Sequence, residues 1–312
     1  MDHVDTEPFV SKVGDAAREK QVNDLLVGAV DLHCHSGPAA MPRILDHHEA
    51  MMEAAAAGFR AVLYKDHFYL GVAQAVILEK LFPETGVKLY SGIALNNASG
   101  GINPHAVDHA AKIGAKIVWL PTLSAENHIR QAEGAAKSFP KTAKKMLDPI
   151  PLSGLDANGR VSDAVKQVCD IIAEADIILS GGHLPAHELI KIFEEAKARG
   201  VQKLLVNHPT YVVNCTDDDI RELVSIGAYM EHSICMFVEG SAHHFSSDDL
   251  AHLIEVAGPD HTVLCSDLGL RGSPRPVEGY RQMVRLLLDL QIPEAQIRTM
   301  IGHNGAKLLN LN

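Results

Sequence analysis

Short apolar runs rich in β-branched residues alternate along the chain with longer stretches of amphipathic, helix-like pattern. This alternation is typical of parallel strands joined by crossover helices. It predicts eight strands, at residues 26–35, 60–67, 87–95, 115–123, 175–183, 201–208, 228–236 and 261–267. Eight successive βα units predict an α/β fold, a single (β/α)8 TIM barrel whose active site lies at the carboxyl ends of the strands.

The segments outside this repeat define the expected domain organisation. Residues 1–312 are expected to form one barrel domain, because no Pro/Ser-rich linker or abrupt change of composition marks a boundary. Residues 1–25 are interpreted as an N-terminal helical extension. Residues 138–160, rich in proline and glycine, are interpreted as an insertion after the fourth strand, and an extra C-terminal helix at 293–309 follows the helix at 276–290.

Composition narrows the classes of partner. The formal net charge of −11 argues against nucleic acid and against an anionic membrane surface, since both attract clustered Lys and Arg. The N-terminus lacks the basic start and apolar core of a signal peptide, and no apolar run is long enough to span a bilayer. The five cysteines show no CxxC spacing and predict buried thiols in a reducing compartment. We therefore expect a soluble, cytoplasmic protein that acts on a small molecule, with a homo-oligomer left open.

Ligand-type side chains stand at the ends of several predicted strands. His33 and His35 are two residues apart at the end of the first, so their rings point the same way and can converge on one metal ion. Such a pair is weak evidence alone, because the chain has 18 histidines. His183, His208 and Asp267, however, end the fifth, sixth and eighth strands. Four histidines and an aspartate directed at one mouth predict a metal site, because burying them without a neutralising partner would be costly.

In this order and spacing the chain resembles the amidohydrolase superfamily of metal-dependent hydrolases. That family has a His-x-His pair after strand one, single histidines after strands five and six, and an aspartate after strand eight. The segment 302–309, GHNGAKLL, is similar to the family's closing Asn-Pro-Ala-x-Leu-Leu helix, with Gly305 where proline is usual. The segment 266–269, SDLG, looks closer to a little-characterised branch than to the well-studied amidases.

The resemblance implies a chemistry. The five residues would bind one or two divalent ions, most often Zn²⁺, although the same ligands accept Mn²⁺, Fe²⁺ or Ni²⁺. The ion lowers the pKa of a water molecule, and Asp267 takes the proton and later delivers it to the leaving group. We expect hydrolysis of a small lactone, cyclic amide or ester that bears a carboxylate. The alternatives are a decarboxylase or hydratase on the same metal barrel, a small-molecule phosphoesterase, and a barrel that binds a ligand without catalysis.

One departure from the family concerns the second metal. Members with two metals usually carry a carboxylated lysine or a glutamate at the end of strand four, and residues 117–123, IVWLPTL, offer neither. Lys65 and His67 instead share the inward face at the end of strand two and are expected to be catalytic. Lys65 has three interpretations: a carboxylated bridge between two metals, an ammonium that binds a substrate carboxylate, or a counter-charge for Asp66 or Glu231. The second is ranked slightly above the first.

Three further residues are candidates for substrate contact. Arg43 lies in the first loop and could clamp an anion, or be an ordinary solvated arginine. Tyr211 lies just beyond His208, where specificity residues gather, or it simply packs. Glu231 has inward parity on strand seven and could contact substrate, ligate a metal, orient a ligand histidine or pair with Lys65.

Two further histidine pairs and one asparagine lie outside the predicted set of metal ligands. His47-His48 and His243-His244 are interpreted as surface residues, because adjacent residues on a helix diverge by about 100° and seldom meet one ion. Asn96, followed by a glycine-rich loop, either makes a turn or leaves room for substrate.

Overall fold

The chain folds around parallel β-structure, described here for residues 7–133 and 139–311, with side chains from residue 16 onward, in a computed structural model. The strands are β1 (Val30–Cys34), β2 (Ala61–Tyr64), β3 (Lys88–Tyr90), β4 (Ile93–Ala94), β5 (Ile117–Trp119), β6 (Ile178–Ser180), β7 (Lys203–Asn207), β8 (Ala228–Ser233) and β9 (Thr262–Cys265). β1 to β3 form one parallel sheet and β4 to β9 another, each in chain order. The predicted α/β fold with parallel strands is confirmed.

The predicted third strand is broken into β3 and β4. β3 pairs with β2, and β4 pairs with β5. Gly92 lies at the break, where a Cβ atom would stand 1.9 Å from the carbonyl oxygen of Ile117, so only glycine allows this close approach. Over the described residues the ladders are therefore two sheets, rather than one closed ring of eight strands.

β1 and β9 meet just beyond their ladders. Cys34 and Leu268 form an isolated parallel bridge, and the backbone N–H of His35 donates to the carbonyl of Leu268 at 2.8 Å. The N–H of Asp267 donates to the carbonyl of His33 at 2.6 Å. These contacts bring the first and last predicted metal ligands together.

Helices cover the sheets, and one follows almost every strand. They are α1 (Glu7–Leu26), α2 (His47–Ala56), α3 (Val72–Leu81), α4 (Pro104–Lys112), α5 (Glu126–Glu133), α6 (Asp163–Ala175), α7 (Ala186–Ala198), α8 (Asp217–Ile226), α9 (Ser247–Ala257), α10 (Pro276–Asp289), α11 (Glu294–Arg298) and α12 (Asn304–Leu308). Single 3₁₀ turns occur at Pro83–Thr85, Asn97–Ser99, Ile234–Met236 and Pro259–His261. The helix predicted at 293–309 is α11 and α12 joined by a π-helical turn, Thr299–His303.

The segment between α5 and α6 is irregular where it is described. From residue 139 to 162 it contains neither a helix nor a ladder strand, and two isolated bridges, Ala125 with Leu152 and Leu155 with Val161, tie it down. Glu188 on α7 holds it further, because its carboxylate accepts from the Ser153 hydroxyl at 2.9 Å and from the Gly154 N–H at 3.0 Å. The start of the predicted insertion, residue 138, lies outside the described residues.

The inner faces of the strands share one apolar cluster. Alternate residues such as Leu63, Leu205, Tyr229 and Cys265 meet there, and Leu308 of α12 packs against them. In β1 the pairing register shifts between Asp31 and Cys34. Inward residues therefore recur with a period of two, except where this irregularity changes the parity of β1.

The state of the cysteines and the character of the helices bear on two expectations from the sequence. All five cysteines are free and buried, as predicted. Within the described part of the chain, none of the helices combines the length and apolar character needed to cross a membrane.

Candidate active site

Polar residues continue the inward alternation where the apolar cluster ends. Lys65 and His67 follow Leu63 by two and four residues, Asp267 follows Cys265, and Glu231 follows Tyr229. Because the strands are parallel, their carboxyl ends all lie at the same edge of the sheets. The inward-facing polar residues at these ends therefore form one cluster.

Three predicted ligands form the tightest group. One atom each from His33, His208 and Asp267 lie within 4.8 Å of one another. His35 joins them, because its Nε2 is 3.0 Å from Asp267 Oδ1, while His33 Nε2 is 3.2 Å from the same oxygen. His183 lies beside His208, with the ring centroids 5.5 Å apart. The structure thus brings all five predicted ligands to one place.

The hydrogen bonds of His35 test whether a cation fits between these groups. Its Nδ1 lies 3.1 Å from the backbone carbonyl of Lys65, an oxygen that can only accept, so Nδ1 carries the hydrogen. Burial and the nearby Arg43 lower the pKa of His35, so the ring is neutral and Nε2 presents a lone pair. That lone pair faces the carboxylate of Asp267. Two acceptors at 3.0 Å repel each other unless a cation lies near both, so a metal ion fits this arrangement.

His183 gives a second sign of the same fit. Its Nε2 is buried and has no hydrogen-bond partner among the described residues. Its Nδ1 lies 2.9 Å from Nδ1 of His128, which fixes the ring. A buried unpaired nitrogen is costly in a folded protein, and coordination of a metal removes that cost.

The other two histidines are also held from behind. His33 Nδ1 lies 2.6 Å from Glu231 Oε1, and His208 Nδ1 lies 2.7 Å from the hydroxyl of Ser233. Such outer partners fix ring orientation and tautomer in metal sites. All four rings are thus held through one nitrogen by a group outside the cluster.

The charge states match those of metal ligands. Burial lowers the pKa of His33 and His183 well below the usual value and that of His208 to about 4, so all three are neutral at pH 7. Burial alone would raise the pKa of Asp267, but as the pH falls the adjacent rings of His33, His208 and His35 take up protons before the carboxylate does, which holds this pKa well below its usual value and leaves Asp267 ionised at pH 7. Neutral imidazoles and an ionised carboxylate are the forms that bind a divalent metal.

Two of the ligand positions carry unusual backbone angles. His208 and Asp267 have φ of 46° and 48°, in the left-handed region that non-glycine residues rarely adopt. Such conformations concentrate at functional sites, where the surrounding structure enforces them.

Lys65 is completely buried beside the cluster. Its Nζ lies 3.3 Å from His33 Nε2 and 5.4 Å from the centre of the Trp119 ring. Burial lowers the pKa of Lys65 to about 8. The two carboxylates considered as its counter-charge have other partners: Asp66 lies 3.6 Å from Arg43 Nη2, and Glu231 contacts His33 and accepts from Asn207 at 2.5 Å.

A cavity of about 450 Å³ opens above the cluster. Its floor includes His35, Lys65, His67, His183, His208 and Asp267, with His128 and Cys235 beside them. Its walls are largely apolar and include Phe139, Tyr211 and Met236. Tyr211 thus lies where a substrate contact is expected.

Two of the expected substrate contacts are not in the cavity wall. Arg43 is not the solvated arginine considered above, since its side chain is only 4 % exposed and lies beside Asp66. Glu231 is fully buried, and both of its oxygens are engaged inside the protein, so it orients His33 instead of touching substrate.

The interpretation of the histidine pairs is partly wrong. His47 is buried, with Nδ1 2.6 Å from the Ser36 hydroxyl and its ring stacked on Tyr64, because α2 packs this face against β2. His243 and His244 are exposed as expected, but they line the cavity.

His128 is a residue of the site that the sequence does not indicate. It lies on α5, where it belongs to no recognisable motif. Only the packing of α5 against His183 reveals its place in the site.

Comparison with known proteins identifies a family and a shared fold. The chain belongs to DUF6282, a family of unknown function, whose model matches residues 28–231. No curated protein matches it.

Solved structures with the same fold include several hydrolases. An amidohydrolase from Pseudomonas aeruginosa is similar at 12 % identity and a TM-score of 0.60, and a probable dipeptidase, PvdM, from the same organism at 10 % and 0.63. In both comparisons 94 % of this chain and 98 % of the other are covered. A mutant PTE-like lactonase from Deinococcus radiodurans is similar at 14 % identity and a TM-score of 0.60, covering 91 % of this chain and 96 % of the other. The resemblance to the amidohydrolase superfamily is confirmed at the level of the fold.

Proposed function

We propose that this member of the DUF6282 family is a metal-dependent hydrolase built on one (β/α)8 barrel. The observation that carries the proposal is the arrangement of four histidines, each held from behind through one ring nitrogen, around the carboxylate of Asp267. The fold shared with an amidohydrolase, a probable dipeptidase and a lactonase supports the same class.

The metal would be held by His33, His35, His183, His208 and Asp267. When bound, a divalent ion supplies a Lewis acid that lowers the pKa of water and polarises an acyl oxygen. Zn²⁺ is the expected metal, and Mn²⁺, Fe²⁺ and Ni²⁺ suit the same ligands.

Asp267 acts as the proton carrier. Its carboxylate is ionised and faces the cavity, so it can take a proton from the attacking water. The same oxygen can then give that proton to the leaving group. The thiol of Cys235 lies 3.6 Å from Asp267 Oδ2 and donates a weak hydrogen bond that steadies the carboxylate.

The substrate is a small lactone, cyclic amide or ester that bears a carboxylate. Among the residues that the structure describes, three cationic side chains line the cavity, Lys65, Lys141 and Arg271, and Asp267 is the single carboxylate. Lys65 at the floor would bind the substrate carboxylate as an ammonium. The cavity volume of about 450 Å³ and its apolar walls suit a small organic molecule.

The test combines metal analysis with a substrate panel. Purified protein loaded with Zn²⁺ is offered lactones, cyclic amides and esters, each with and without a carboxylate, and phosphate esters. We expect turnover of a carboxylate-bearing carbonyl compound, and an Asp267→Asn variant that retains metal but loses about 10²- to 10⁴-fold in turnover. Asp156→Asn, a change at an exposed loop carboxylate, is the control.

Other outcomes would redirect the proposal. Release of CO₂ without consumption of water would identify a decarboxylase, and turnover confined to phosphate esters would identify a phosphoesterase. Full activity in Asp267→Asn would contradict its role as proton carrier.

A further inference from the structure

Asn96, Thr122 and His67 form a buried chain of hydrogen bonds beside the candidate metal ligands. Asn96 is 2 % exposed and Thr122 is completely buried. They come from the ends of β4 and β5, and His67 follows β2. The metal chemistry proposed above uses neither Asn96 nor Thr122.

The backbone fixes the direction of this chain at Asn96. Its Oδ1 lies 2.9 Å from the backbone N–H of Thr122 and 3.0 Å from that of Ser124. A backbone N–H can only donate, so this end of the amide is the oxygen. The Nδ2 group then donates one hydrogen to the backbone carbonyl of His67 at 2.9 Å and the other to Thr122 Oγ1 at 2.6 Å.

The same reasoning gives the direction of the hydrogen bond between Thr122 and the imidazole of His67. The Thr122 hydroxyl already accepts from Asn96 and has a single hydrogen of its own. Its other neighbour is His67 Nδ1, at 2.9 Å. Donation of that hydrogen to Nδ1 leaves no buried donor unpaired, as native proteins require. Nδ1 is therefore the acceptor, and the hydrogen of the neutral ring lies on Nε2.

We propose that His67 is a hydrogen-bond donor to substrate, and that Asn96 and Thr122 are positioning residues that set its tautomer. The ring lines the cavity, with its centroid 5.3 Å from that of His35 and 6.3 Å from that of His183. Within the described part of the chain, Nε2 of His67 makes no hydrogen bond. Its N–H is thus available to an oxygen acceptor, such as the acyl oxygen on which charge develops or a carboxylate.

This assignment excludes two other roles for His67. A nitrogen that carries a hydrogen has no lone pair for a metal ion, and it cannot act as a general base. The identity of the acceptor oxygen rests on the proposed hydrolase function, whereas the tautomer rests only on the hydrogen bonds above.

The tautomer can be measured in the full chain without any substrate. Protein labelled with ¹⁵N-histidine is studied by NMR with and without Zn²⁺, and the His67 signals are assigned by their loss in His67→Gln. We expect a neutral ring protonated at Nε2. Thr122→Val removes the hydroxyl at nearly constant volume and should shift the ring toward the Nδ1-protonated form. Thr122→Ser, which keeps the hydroxyl, should preserve the wild-type signature.

Binding of an oxygen acceptor tests the second half of the proposal. Acetate, which has an acceptor carboxylate but no hydrolysable bond, is titrated into the Zn²⁺-loaded protein. The Nε2 signal of His67 should shift in the wild type and in Thr122→Ser, and at least tenfold less in Thr122→Val. Protonation of Nδ1 in the wild type, an unchanged tautomer in Thr122→Val, or no acetate-dependent shift would each overturn the inference. A positive result in a protein that hydrolyses nothing would count against the proposed function alone.

Discussion

Replacing Glu231 by glutamine should weaken metal binding without removing any ligand. Oε1 of Glu231 lies 2.6 Å from His33 Nδ1, and Oε2 accepts from Asn207 at 2.5 Å. A carboxylate accepts both hydrogen bonds, whereas an amide has one oxygen and one NH₂ group. In Glu231→Gln, therefore, the NH₂ group of the glutamine points at an N–H of either His33 or Asn207, and that N–H loses its acceptor.

The magnitude follows from the loss of one buried contact. Leaving a buried donor unpaired costs about 1–3 kcal/mol, which corresponds to about 5- to 150-fold in affinity if the cost falls on the orientation of His33. Outer partners of metal-binding histidines typically contribute about 10- to 100-fold, in the same range. We expect the Kd for Zn²⁺ to rise by about 10- to 100-fold.

The assay is competition for Zn²⁺ with a chromophoric chelator, with unfolding by urea measured in parallel. Glu188→Gln is the control, because Glu188 is also buried and also accepts two hydrogen bonds, but from the segment after α5 and both at Oε2, so the amide oxygen of glutamine can accept both. It should keep its zinc affinity. An unchanged Kd in Glu231→Gln, or an equal loss in Glu188→Gln, would refute the reasoning.

Two further changes test other parts of the site and the fold. Lys65→Met should leave one metal ion per chain and raise KM for a carboxylate-bearing substrate by about 10- to 100-fold, since a hydrogen bond to a charged group contributes about 1.5–3 kcal/mol. A carboxylated Lys65 would instead be identified if the wild type binds two ions per chain, the variant binds one, and short-chain carboxylic acids restore the second. His232 is buried, and burial lowers its pKa from 6.5 to about 4, so the unfolded state takes up a proton first and stability falls as pH drops below 6.5. Between pH 7.5 and 5 this group lowers the free energy of unfolding by about 2 kcal/mol. Measured by urea unfolding, the free energy of unfolding of His232→Leu should therefore fall by about 2 kcal/mol less than that of the wild type over this pH range. Equal falls in both proteins would contradict the prediction.

The strand pattern and the ligand types could be predicted from the sequence because both depend on local rules. Apolar runs with helical stretches between them specify parallel strands, and a polar residue in step with the inward apolar ones must face the same interior. Leu63, Lys65 and His67 obey this rule. The break at Gly92 could not be predicted, because it depends on the approach of Ile117 from another strand.

The hydrogen-bond partners of the candidate metal ligands could not be predicted from the sequence for a similar reason. His128, Ser233 and Glu231 each hold a ligand histidine, yet the sequence indicates only Glu231, through its parity on the strand. A hydroxyl or an imidazole on a neighbouring element becomes significant only when packing decides which ring nitrogen it meets. His47 shows the converse, since a histidine expected at the surface is buried by the face on which α2 packs.

In β1, the direction in which each side chain points depends both on the local alternation of the strand and on contacts with other parts of the chain. Val30 and Leu32 point into the apolar cluster, so a regular strand would direct Cys34 inward and His33 and His35 away from it. The register shift between Asp31 and Cys34 reverses this, and the Asp31 carboxylate accepts from the backbone N–H of His33 at 3.1 Å and of Ser266 at 2.9 Å. The His-x-His pair therefore reaches the other candidate metal ligands through an irregularity that Asp31 stabilises. The spacing of two predicted that the rings share a face, and the irregularity decides which face it is.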